Sequence, residues 1–94
     1  MPYVLVRHKI EDYAKWKPVF DDDAKDRRAG GSKGGQLFRN AHDPNEILVI
    51  FEWDTMDSAQ KFVQSPQLAA KMQQAGVTDR PDVYFLEEIE KLSV

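Results

Sequence analysis

Five apolar residues follow one another without interruption, Ile47-Leu48-Val49-Ile50-Phe51, and Trp53 stands just beyond them. A strand with one face on a core and the other in water alternates apolar with polar side chains. This run does not alternate, so it describes a strand that needs cover front and back. Tyr3-Val4-Leu5-Val6 repeats the pattern over a shorter stretch. A chain of 94 residues makes a single domain, residues 1–94, and buries only about 60–65% of its unfolded surface. It cannot build a layer on each side of a sheet. The expectation is a two-layer α+β domain whose open sheet face is closed by a second copy of itself. The stripe assigned to that face is Ile47, Val49 and Phe51 with Leu5. Burying each such side chain contributes roughly 1.5–3 kcal/mol, against a total of about 5–15 kcal/mol that holds a small domain together.

The remaining elements follow from periodicity and punctuation. Strand one reads Tyr3 to Lys9. Helix one opens at Asp12 as N-cap, carries Tyr13, Trp16, Phe20 and Ala24 on one stripe, places Arg27 and Arg28 in its last turn and stops at Gly30-Gly31. Pro18 removes a backbone bond to Ala14, so a kink or restart is expected near Lys17. Strand two spans Gly34 to Ala41, and the Asp43-Pro44-Asn45 turn joins it to strand three, Glu46 to Trp53. Asp54-Thr55 caps a second helix, Ser65-Pro66 restarts it, and it runs to Gly76. Strand four covers Val83 to Leu92. The order is ferredoxin-like, βαββαβ: a four-stranded antiparallel sheet with helices on one face. Right-handed crossovers are read as setting strands one and three side by side and parallel in its centre.

Composition excludes several function classes. The net charge is −3 with both signs dispersed and no basic block, which disfavours nucleic acid and anionic membrane as partners. Cysteine is absent, so disulfides and thiolate chemistry are excluded. The two histidines show no zinc spacing, and no metal or cofactor is expected. The apolar run at the N-terminus ends at Val6, too short for a signal peptide, and nothing has transmembrane length. A cytoplasmic protein is the default expectation.

Asp12-Tyr13 with Trp16, and Phe51-Glu52-Trp53 leading through Ser58-Ala59 to Ser65-Pro66, together with the element order, resemble the dimeric α+β barrel superfamily. The resemblance covers nearly the whole chain and points to the group around antibiotic-biosynthesis-type monooxygenases. It implies a homodimer, a ligand pocket between sheet and helices, and cofactor-independent chemistry on a small aromatic or polyketide-like molecule, as a monooxygenase, cyclase or isomerase. In the monooxygenase branch strand three commonly ends Glu-x-Trp, and the next helix carries a His shortly before Ser-Pro. Here Glu52 and Trp53 are adjacent and Phe62 takes the aligned position. These departures support the alternative, a non-catalytic ligand-binding or structural dimer.

Among individual residues, His8 and Glu52 form the expected catalytic pair. Both are placed at the ends of adjacent strands, and a carboxylate orienting an imidazole makes a general base suited to a phenol or an activated carbon acid. Trp53, Tyr84 and Tyr13 are the expected aromatic lining for a substrate, while Trp16 and Phe20 are read as core. Arg39 is the candidate for holding a substrate carboxylate. Asp21-Asp22-Asp23 is read as a solvated helix face, because consecutive helical residues fan out and cannot converge on one ion.

Overall fold

The computed structural model describes residues 1–94 and contains β1 (Pro2–Lys9), α1 (Tyr13–Asp22), α2 (Ala24–Gly30), β2 (Ser32–Asn40), β3 (Asp43–Trp53), α3 (Met56–Val63), α4 (Pro66–Gln74) and β4 (Asp82–Glu87). The strands form one sheet in the order β2-β3-β1-β4, with β1 and β3 central as expected. Every pairing is antiparallel, including β1 with β3, which corrects the expected parallel centre. One helical crossover returns the chain so that β2 points the same way as β1; the hairpin then reverses it, so β3 runs against both.

Direct partners in the β1/β3 ladder are Val4 with Phe51, Val6 with Val49 and His8 with Ile47. Partners point to the same face. This is the face the helices cover: Ile47 and Val49 are buried with Ile10, Trp16 and Ala75, and Val4, Val6 and Trp53 with Ala59. The other face carries Tyr3, Leu5 and Arg7 opposite Glu52, Ile50 and Leu48, flanked by Gln36 and Phe38 of β2 and by Tyr84 and Leu86 of β4. Nothing within the chain covers it, and Phe38 and Tyr84 are 51% and 55% exposed. Leu5 is on the open face as expected, but the other three residues of the expected stripe are on the opposite side. Ile47, Val49 and Phe51 lie beneath the helices, and the open apolar face is Leu5, Leu48 and Ile50 with Phe38, Tyr84 and Leu86. A run apolar at every position fixes that both faces need cover, and parity alone cannot say which one the chain covers itself.

At one end of the open face Arg7 ties three segments together, pairing with Glu46 of β3 at 2.8 Å, Asp79 at 2.9 Å and Asp82 of β4 at 2.8 Å. These bonds hold the Arg7 guanidinium well above its ordinary pKa.

Helix one is two helices, and the break falls at Asp23. Asp12 caps α1 as expected, its carboxylate accepting from the Ala14 N–H at 3.0 Å, and Pro18 sits inside α1 without interrupting it. Both Pro18 and Ala14 face solvent, so water can satisfy the Ala14 carbonyl that the proline leaves free. Gly31 ends α2 at φ 116°, the left-handed conformation that a glycine adopts without steric cost. The β2/β3 turn is Ala41-His42 rather than Asp43-Pro44-Asn45, since Asn40 already pairs with Asp43. Asn40 sets that turn, its side-chain oxygen accepting from the His42 N–H at 2.8 Å. Thr55 and Ser65 cap α3 and α4, accepting from the N–H groups of Ser58 and Leu68.

Strand β4 stops at Glu87, well short of the expected Leu92. Its last partner is Pro2, the first residue of β1, so residues 88–94 have no neighbouring strand to pair with. Ile89, Leu92 and Val94 in this tail are exposed. No helix is long and apolar enough to cross a membrane.

Candidate functional site between sheet and helices

The space between the helices and their face of the sheet is not fully filled. A cavity of about 70 Å³ remains, walled by Val4, Val6, Val49 and Phe51 from the sheet and by Trp16, Phe62, Leu68 and Met72 from the helices. Two polar side chains reach it from the strands, His8 of β1 and Trp53 at the end of β3. His8 is 4% exposed and Trp53 1%, and the imidazole Nδ1 and Nε2 and the indole Nε1 have no hydrogen-bond partner.

Buried polar groups are almost always paired, because leaving one unpaired costs its full desolvation energy of about 1–3 kcal/mol. The two side chains that carry these three atoms both stand in the wall of one cavity whose remaining lining is mostly apolar. His8 is held by an edge-to-face contact with Trp16, ring centroids 5.7 Å apart, so its ring plane is set by packing alone. Burial lowers its pKa; Asp79 works against that shift and Arg7 adds to it. His8 is therefore neutral at neutral pH, presenting one N–H donor and one acceptor lone pair.

The helix break supplies the remaining charged groups. Asp23, expected on a solvated face, is 6% exposed, and burial pushes its carboxyl above the ordinary range. The Phe20 carbonyl beside the break accepts from Arg27 Nη1 at 2.9 Å. The Arg27 guanidinium lies 4.0 Å from the Phe20 ring centroid and 5.4 Å from that of Phe51. Asp23 and Arg27 both line the cavity with Lys71. Arg27 was legible in the sequence: it continues the stripe Tyr13, Trp16, Phe20, Ala24 by three residues, which places it on the buried side of the helix rather than only at a favourable end of its dipole.

The other expected site residues lie elsewhere. Glu52 faces the open side opposite Tyr3, five residues along β3 from Ile47, the partner of His8, a separation of roughly 17 Å along the strand. His8 and Glu52 are on opposite faces and form no pair; the pairing depended on parallel strands. Tyr84 is also on the open face, opposite Leu5. Tyr13 and Arg39 are together, the guanidinium 5.6 Å from the ring centroid, in a shallow cleft with Leu37, Phe38 and Ile47 that is distinct from the cavity. Trp16 and Phe20 stack at 4.7 Å, and Trp16 is core as expected. Only His8 and Trp53 of the six meet at one site. No group of three or more His, Asp or Glu is arranged to hold a metal ion.

No protein-family profile and no curated protein sequence matches the chain. Solved structures do match over nearly its whole length. SnoaB, a cofactor-independent oxygenase from Streptomyces nogalater in a mutant form, is similar with a TM-score of 0.77 at 16% identity, covering 99% of this chain and 97% of its own. A structure from Bordetella bronchiseptica, assigned as an antibiotic biosynthesis monooxygenase, gives 0.78 at 17% identity, covering 95% and 97%. One from Deinococcus radiodurans with the same assignment gives 0.75 at 15% identity, covering 100% and 98%. At these identities the likeness establishes the fold.

Proposed function

We propose, on the premise that this chain has the ferredoxin-like α+β fold of the antibiotic biosynthesis monooxygenase-like structures, that it is a homodimeric enzyme oxidising a small phenolic molecule with O2 and no cofactor. The observation that carries the reading is the cavity on the helix side of the sheet, with His8 and Trp53, whose ring nitrogens have no partner, among its lining residues. An apolar cavity of about 150 Å³ holds a benzene ring. The space here takes one edge of a ring, so a bound phenol inserts its hydroxyl edge and leaves its body toward the mouth.

The chemistry follows from those groups. The acceptor nitrogen of His8 takes the phenolic proton as general base. The imidazolium and phenolate form together as an ion pair, so neither charge is left alone in an apolar wall. The Trp53 N–H donates to the oxygen on which negative charge builds. A phenolate is electron-rich enough to reduce O2 directly. One oxygen atom enters the ring as a carbonyl, the other leaves as water, and the phenol supplies all four electrons in becoming a quinone.

Dimerisation is supported by the open face and by the tail. Leu5, Leu48, Ile50, Phe38, Tyr84 and Leu86 offer a contiguous apolar surface, and the tail after β4 carries three exposed apolar residues. A second copy covers both, with an expected interface of roughly 1,200–2,000 Å². The rival reading, a binding protein without turnover, is favoured by the small volume of the cavity and by Phe62 in its wall.

Oxygen uptake with 1-naphthol as the phenolic probe separates the two. The native protein is expected to accelerate uptake with no cofactor added, and His8→Ala to remove about 10²–10⁴-fold of that rate, the usual contribution of a general base. Uptake no faster than in buffer refutes the oxygenase reading.

A further inference from the structure

We propose that the ligand of this site is an anion, a small aromatic acid whose carboxylate is held by Arg27 at the junction of the cavity with a cationic vestibule. The inference rests on the reading of the cavity as a ligand site and adds the charge of what enters it.

Beyond Arg27 the cavity adjoins a second, open depression of about 550 Å³, formed where α2 meets the glycine-rich start of β2. The two spaces share Phe20, Arg27, Val49 and Phe51 in their walls. The outer one is lined by three cations, Arg27, Arg28 and Lys33, and by no carboxylate. In a chain of net charge −3 this is a local reversal of sign. Neither Arg28 nor Lys33 makes an ion pair, so no carboxylate neutralises either of them at the depression. A cleft lined by one sign of charge concentrates the opposite ion.

Arg27 is the more specific observation. Its side chain is 12% exposed, yet its one hydrogen bond is to the Phe20 carbonyl. Asp23, the nearest carboxylate, is 3.8 Å away, beyond hydrogen-bond distance. A guanidinium has five N–H donors in a planar fork, so most of the fork is unused. Phe20 and Phe51 fix its plane, which prepares it for the bidentate geometry a carboxylate offers. Asp23 opposes an anion here, and Lys71, which also lines the cavity, is tied to Asp22 at 3.1 Å. The surplus positive charge therefore comes from Arg28 and Lys33. A ring whose hydroxyl lies against His8 and Trp53 carries a carboxylate on its opposite side toward the mouth, where Arg27 stands.

Calorimetric titration of the native protein with 4-hydroxybenzoate and with its neutral isostere 4-hydroxybenzamide tests this. The acid is expected to bind at least about tenfold more tightly, a modest return for one charge-assisted bidentate contact. Arg27→Gln should abolish that preference, and the surface double variant Arg28→Gln/Lys33→Gln should slow association of the acid alone, with a flatter salt dependence. Equal affinity for acid and amide overturns the anion inference and leaves the cavity reading intact. Binding of neither probe overturns both.

Discussion

Ile50→Lys should convert the protein from a dimer to a monomer at micromolar concentration. Ile50 sits near the middle of the open sheet face, beside Leu5 on one side and Gln36 on the other. In a two-fold dimer the substitution occurs twice across one interface. Each ammonium would be enclosed against apolar neighbours without a partner, at a cost of several kcal/mol. Even about 2 kcal/mol at each of the two sites weakens association by roughly a thousandfold. The folded monomer tolerates the change, because in a single chain this face meets water. Sedimentation should therefore show a monomer with native circular dichroism. A native protein that sediments as a monomer would itself overturn the assembly, whatever the variant does.

The second large effect is expected from Trp16→Ala, at about 3–5 kcal/mol, in the range for truncating a buried large aromatic. Trp16 is almost fully buried, stacks on Phe20, packs edge-on against His8 and belongs to the cluster with Ile10, Ile47 and Val49. Its loss removes the one ring that orients His8 and merges its volume with the cavity. Denaturant unfolding should show the midpoint falling by a large fraction of the total. Trp16→Phe, which retains a ring against Phe20, should cost less than half as much. A loss under about 1 kcal/mol for Trp16→Ala would mean that α1 does not clamp the sheet as described.

How much of this was legible in the sequence depends on the kind of signal. The element order and the caps at Asp12, Thr55 and Ser65 are local properties, and the structure has them; it also shows apolar side chains on both faces of the central strands. Strand direction was misjudged where two crossovers and a hairpin had to be combined, and that error carried the His8–Glu52 pair with it. Face assignment failed for a different reason. In Ile47–Phe51 every position is apolar, so the alternation that normally marks the core side is absent. Asp23 was missed because three successive aspartates look solvated, and nothing local says that the helix breaks between them and the arginines. Arg27 could have been placed, since it continues an apolar stripe, whereas the parity Trp53 shares with Val49 and Phe51 argued for the open face and its pocket assignment came from the resemblance instead.

The central claim is that His8 is a buried neutral imidazole whose nitrogens await a ligand in the cavity. Nitrogen-15 spectra of its ring from about pH 8 to 5 test this, recorded without and then with 4-hydroxybenzamide. In the free protein the ring should stay neutral below its ordinary pKa of 6.5, because burial disfavours the cation. The unfolded chain then binds more protons than the native one, so stability is full above that value and declines as pH falls through it toward the lower native pKa. The added amide should shift the His8 ring nitrogens and the Trp53 indole proton together. An imidazole that titrates at or above 6.5, with both signals indifferent to the amide, would contradict the account.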